Sequence, residues 1–164
     1  MAALAFMDEY PEVGAYITSN AIKASSINLT EFAPDGAYRE GAGYWAYVMT
    51  YIVKMLSTIE TVFGTCYSLD LCEGLSSSAS YLLNVQSDMG IFNYNDAGQK
   101  VYYVPEYFYL SQKYDDPSIA STVLYMYGGK LFGDCSAIDL VSSMLYLDTS
   151  VTADESNLPK LDKA

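Results

Sequence analysis

Apolar residues recur along this chain at intervals of three and four, and clusters of proline, glycine and aspartate separate one such stretch from the next. That period sets one side of a helix against a core and leaves the other in water. Pro11 suits the first turn of a helix, where a missing N–H costs nothing. Val13, Ile17, Ala21 and Ala24 follow it at helical spacing. Pro34-Asp35-Gly36 stops the pattern with turn chemistry. The clearest helix is predicted from about Tyr44 to Phe63. Tyr47, Val48, Tyr51, Ile52, Met55, Leu56, Ile59, Val62 and Phe63 form a wide stripe expected to be buried, and Gly64 reads as a C-terminal stop.

A loop through Cys66, Asp70 and Glu73 leads to Ser76-Ser77-Ser78, where a serine is expected to cap a short helix carrying Tyr81, Leu82 and Val85. Asp88-Met89-Gly90 ends that helix, and Ile91 to Asp96 reads as extended chain or loop. Pro105 opens a helix through Tyr114. Asp116-Pro117, a cap followed by proline, opens another that reaches about Tyr127. Gly128-Gly129 interrupts, and a last helix covers Ser136 to about Leu147. Beyond it the chain turns polar and loses its period, so 149–164 reads as a linker or tail. The prediction is one all-α domain of antiparallel helix hairpins over 1–148. A clean repeat of fixed period is absent, which argues against a helical-repeat array.

Composition narrows the function. The net charge is −12 and the eight basic residues are scattered, so the basic surface that nucleic acid requires is missing. No apolar run approaches the ~20 residues of a membrane span. Met1 to Phe6 carries no basic leader and reads as the tail of a helix rather than a signal peptide. Three cysteines suggest neither a disulfide framework nor a zinc site. Free thiols are expected, with a Cys66–Cys72 bridge as the alternative. Histidine is absent, which excludes a Ser-His-Asp triad, a Cys-His dyad and any histidine-based metal site within the chain. No metal or cofactor is expected. Seventeen tyrosines, each with an apolar body and a polar tip, suit helix faces that line a wet groove, though half-buried packing explains most of them singly.

The segment from Phe32 to Tyr47, with Pro34-Asp35-Gly36 followed by Tyr38-Arg39-Glu40-Gly41-Ala42-Gly43-Tyr44-Trp45, resembles the heparinase II/III-like polysaccharide lyases. Residues 59–65, the stretch from Ile91 to Ala97 and Asp115-Asp116-Pro117 continue the resemblance, which covers roughly residues 1 to 148. It implies part of an incomplete (α/α) toroid, paired in such lyases with a domain of stacked antiparallel β-sheets, the sugar chain lying between. Both ends of the chain read as cut: the family's upstream Asn-rich motif and its β-sheet domain are expected outside it.

The reaction so implied is β-elimination on a uronic-acid-containing polysaccharide. It asks the protein to neutralise a carboxylate, remove the C5 proton and protonate the leaving oxygen. The motif makes Tyr44 the candidate for proton transfer, at a helix start that modestly favours a phenolate. Spacing alone reads Tyr44 as a packing aromatic beside Trp45. Tyr38, Arg39, Glu40, Trp45 and Asn93 are the candidate substrate-binding residues. Trp45 suits a sugar platform or an anchor between helices. Arg39 suits a bidentate grip on uronate or sulfate, or an exposed salt bridge to Glu40 or Asp35. Asn93, Asn95 and Asp96 form a polar cluster suited to ligand or to Asx turns. Tyr47 falls on the apolar stripe and is expected in the core.

The expected partner is an acidic polysaccharide or oligosaccharide, with the parent's β-sheet domain, and no nucleic acid or membrane. A net charge of −12 opposes binding a polyanion on this surface alone, so the chain is expected to be inactive by itself. A non-catalytic carbohydrate-binding helical module is the alternative. Exposed apolar helix faces suggest a homodimer. The resemblance fits a periplasmic or secreted setting as well as a cytoplasmic one.

Overall fold

The computed structural model describes residues 1–87, 90–92, 94–96, 98, 104–127 and 136–157. Their elements run α1 (Ala2–Ala5), α2 (Pro11–Asn28), α3 (Ala42–Phe63), α4 (Ser78–Asn84), β1 (Gln86–Ser87), β2 (Gly90–Ile91), α5 (Glu106–Lys113), α6 (Pro117–Tyr127) and α7 (Ala137–Tyr146). The fold is all-α. Among the described residues the strands form a single two-stranded antiparallel ribbon, with Gln86 opposite Ile91. The expected break at Gly128-Gly129 and the residue Cys135 lie outside the described residues.

Local chemistry sets the helix ends. Pro11 stands in the first turn of α2. Gly64 takes the left-handed conformation after α3, φ 70° and ψ 13°, and its N–H donates to the Glu60 carbonyl at 2.8 Å. Ahead of α6 the Asp116 carboxylate accepts from the Ser118 N–H at 3.1 Å. Ser136 and Asp139 make a reciprocal capping box on α7. The serine expected to cap α4 does not: Ser77 occupies the position without a side-chain bond, and the next serine is used elsewhere.

The core gathers around α3 and α5. The buried face of α3 is Ala42, Trp45, Ala46, Met49, Ile52, Val53, Leu56 and Ile59, at steps of three and four. Tyr47, Tyr51 and Val62, expected on the buried stripe, are instead exposed. The polar residues Thr50, Lys54, Ser57, Thr58 and Thr61 share one side of the helix, and Tyr47 falls among them. Trp45 lies on the opposite side and, with the small Ala42 and Ala46, turns inward. Tyr47 and Tyr51, one turn apart, meet edge-on at 5.1 Å on the outside. In α5 every residue from Glu106 to Ser111 is buried, so this short helix runs between neighbours: α3, α6 and α7 all pack on it.

α7 is seated in an unusual sense. Ser142 and Ser143 face inward, while Ile138, Val141, Met144 and Leu145 are exposed. Its C-terminal end is fastened by the Tyr146 hydroxyl, 2.9 Å from Ser57 of α3, and by the Tyr146 ring, edge-on to Tyr109 at 5.4 Å. The polar stretch that follows returns to α6: the Ser121 hydroxyl donates to the Thr152 carbonyl at 2.7 Å, and Val151 packs on the core.

Candidate functional site

The chain enters α3 through a turn held from below by backbone packing. Gly36 and Gly74 both have positive φ, 85° and 82°. A Cβ on Gly36 would lie 2.5 Å from the Ser78 backbone, and one on Gly74 would lie 1.9 Å from the Phe32 carbonyl oxygen. Two glycine turns are therefore pressed together with no room for a side chain between them.

Trp45 locks this contact. It is completely buried, and its indole N–H donates to Ser78 Oγ at 2.6 Å. Ser78 Oγ in turn donates to the Gly36 carbonyl at 3.0 Å. The Trp45 ring lies 5.8 Å from that of Tyr107 and 6.3 Å from that of Tyr81. Of the two roles open to Trp45, the structure supports the anchor; a sugar cannot reach a ring with no exposed surface.

A hydroxyl chain holds the turn from the other side. The Tyr94 hydroxyl donates to the Tyr38 carbonyl at 2.7 Å and lies 2.5 Å from the Tyr81 hydroxyl. Tyr94 spends its one proton on the carbonyl, so Tyr81 is the donor between the two phenols. The Asn95 amide donates to the Arg39 carbonyl at 2.9 Å, from a left-handed backbone position with φ 53°. Asn95 thus ties two loops together. Asn93, a candidate binding residue, lies outside the described residues.

With the turn pinned, Tyr44 stands in the first turn of α3, 44% exposed. Tyr38 is half-buried, its ring 5.4 Å from that of Phe32. Burial raises the Tyr38 pKa, Glu40 and Glu31 raise it further, and Arg39 opposes them. Its phenol is therefore harder to ionise than an ordinary tyrosine. Arg39 is ion-paired with Glu31, a partner from the preceding 3-10 turn and not the expected Glu40 or Asp35. Asp35 instead accepts from the Ala37 N–H at 3.2 Å. Glu40 is exposed.

A concavity of about 320 Å³ lies beside this turn, lined by Thr30, Glu31, Ala33, Ala37, Tyr38, Arg39 and Tyr94. It brings two of the expected binding residues, Tyr38 and Arg39, together with Glu31 and Tyr94. Tyr44 and Glu40 are not in its lining. Sequence reasoning missed Glu31, Tyr94 and Ser78, because each acts on a residue distant in the chain or on the far side of a turn.

A second polar cluster ties the far end of α3 to α5. The Lys113 ammonium lies 2.7 Å from Glu60, 3.0 Å from Asp70 and 3.4 Å from the Cys66 sulfur. Burial alone would lower the Lys113 pKa; bonds to Glu60 and Asp70 carry it above the ordinary lysine range. Burial also raises the Cys66 thiol against the opposing pull of Lys113. Cys66 and Cys72 are both free thiols, as expected. Among the described residues no group of three or more histidine, cysteine, aspartate or glutamate side chains is placed to hold a metal ion. No described helix is long and apolar enough to cross a membrane. No family model matches the chain, and no curated protein matches it.

Proposed function

We propose that this chain is the helical part of a polysaccharide lyase that cleaves uronic-acid-containing polysaccharide by β-elimination, its helices forming part of an incomplete (α/α) toroid. The observation that carries the reading is Tyr44: a phenol exposed on the first turn of α3, above a turn that Trp45, Ser78 and paired glycines hold rigid. A proton-transfer group has to be positioned within hydrogen-bond reach of its carbon acid, and rigid support is what such a group needs. The resemblance of Phe32–Tyr47 to the heparinase II/III-like lyases supplies the reaction class. The chain has no histidine. The groups that neutralise the substrate carboxylate would therefore come largely from a β-sheet domain and further helices of the parent polypeptide.

The test is Tyr44→Phe in a polypeptide that carries this chain together with its β-sheet domain. Elimination is read from the absorbance of the unsaturated product on heparin, heparan sulfate and alginate. We expect kcat to fall by roughly 10²-fold or more, the contribution of a positioned proton-transfer group, with KM little changed. A kcat equal to that of the wild type would sink the assignment. The separation of the concavity from Tyr44 favours a second reading, a module that holds glycans without cleaving them. Such a module would bind uronate oligosaccharides with or without the Tyr44 hydroxyl and would show no elimination in the longer polypeptide.

A further inference from the structure

We propose that the concavity beside the entry to α3 is a subsite for one carboxylate-bearing pyranose ring, in which Arg39 receives the carboxylate and Glu31 is a built-in competitor for the same guanidinium. The saccharide class rests on the lyase reading above; the competition rests on geometry alone. At about 320 Å³ the concavity is at the small end of ligand sites, the size for a single ring rather than a chain.

Of the side-chain donors in the lining, the Tyr38 phenol and Arg39 are left to meet a ligand. Thr30 spends its hydroxyl proton on the Ile27 carbonyl at 2.7 Å. Tyr94 spends its own on the Tyr38 carbonyl. Arg39 has five N–H donors in a planar fork that fits a carboxylate bidentately, more than the contact to Glu31 uses. Its backbone is fixed by Asn95, while its side chain is 73% exposed. The site therefore holds the root of Arg39 still and leaves its tip exchangeable. An ion pair this exposed contributes little to stability, so an arriving carboxylate displaces Glu31 at small cost. A neutral sugar has nothing to exchange for it. The Glu31 carboxylate also repels an incoming anion, so its charge weakens uronate binding twice over.

The experiment is a titration of the whole chain with sodium glucuronate, and with methyl glucoside as the neutral control, followed by NMR shifts of the Tyr38 and Tyr94 rings. Wild type should bind glucuronate with a Kd on the order of millimolar and leave the glucoside unbound. Glu31→Gln should tighten glucuronate binding about threefold to tenfold, and Arg39→Gln should abolish it. Both positions are exposed, and far-UV circular dichroism checks that the helices are intact. Met144→Lys, on the exposed face of α7, should bind glucuronate as the wild type does. Binding that is unchanged or weakened in Glu31→Gln overturns the proposal. So does equal binding of the glucoside, or no binding of glucuronate by wild type and Glu31→Gln alike. Failure of the lyase reading is seen separately, as unchanged elimination in Tyr44→Phe, and leaves this titration untouched.

Discussion

Glu106 carries the least expected burden of any single residue. It opens α5, is 1% exposed, and its Oε2 has no hydrogen-bond partner. Burial pushes its pKa up. Its own backbone N–H, Lys54 of α3 and Thr50 pull the other way without offsetting the burial, while Asp139 of α7 adds to the rise. The native state thus holds this proton more tightly than the unfolded chain. The stabilisation it gives is fully present below the ordinary glutamate range and is lost as pH rises through the folded-state value. Glu106→Gln keeps the shape and removes the titration. We expect the variant to gain on the wild type by on the order of 1 kcal/mol between pH 5 and pH 8, read from thermal melts. Parallel pH profiles for the two proteins would refute this.

At the scale of elements, the structure depends on two joints. The first is the close approach of the Phe32–Gly36 and Gly74–Ser78 turns. Gly74→Ala puts a methyl group into the Phe32 carbonyl, which accepts from the Gly36 N–H at 2.7 Å. A loss of about 3 kcal/mol in urea denaturation is expected. Gly64 has a similar φ but nothing within 4 Å of its would-be Cβ, so Gly64→Ala should cost only about 1 kcal/mol. Equal losses at the two positions would contradict the close-packing account. The second joint is Lys113, which holds carboxylates from the end of α3 and from the 3-10 turn Leu69–Leu71. The Lys113 and Asp70 side chains are mostly buried, at 15% and 20% exposure. Lys113→Met strands Asp70 and Glu60 side by side and should cost about 3 kcal/mol. Adding Asp70→Asn should recover part of the loss; no recovery would mean that the charges are not the cause.

For the whole molecule, the seating of α7 is the informative feature. An apolar helix would ordinarily turn its large side chains inward, yet here two serines face α5 and the larger residues are outside. Met144→Lys with Leu145→Glu should therefore change stability by less than about 0.5 kcal/mol and reduce binding of an apolar dye. Ser143→Leu, at a position 1% exposed, should cost about 1–3 kcal/mol through overpacking. The opposite ranking would show that α7 is rotated from the orientation described.

What could be read from the chain was what a few neighbouring residues decide. Pro11, Gly64, Pro105 and Asp116-Pro117 mark helix ends because caps, prolines and left-handed glycines act on the backbone within one turn. The helical period then gave the all-α class, and the absent histidine excluded whole families of catalytic groups. The candidate site was legible as a segment, Phe32 to Tyr47, but not as an arrangement. The bonding of Trp45 to Ser78, the pairing of Arg39 with Glu31 and the inward serines of α7 were settled by tertiary structure. Trp45 meets Ser78 across 33 positions of sequence, and Tyr94 reaches Tyr38 across 56. No local pattern records such contacts. They are chosen by which surfaces pack closely once the helices exist.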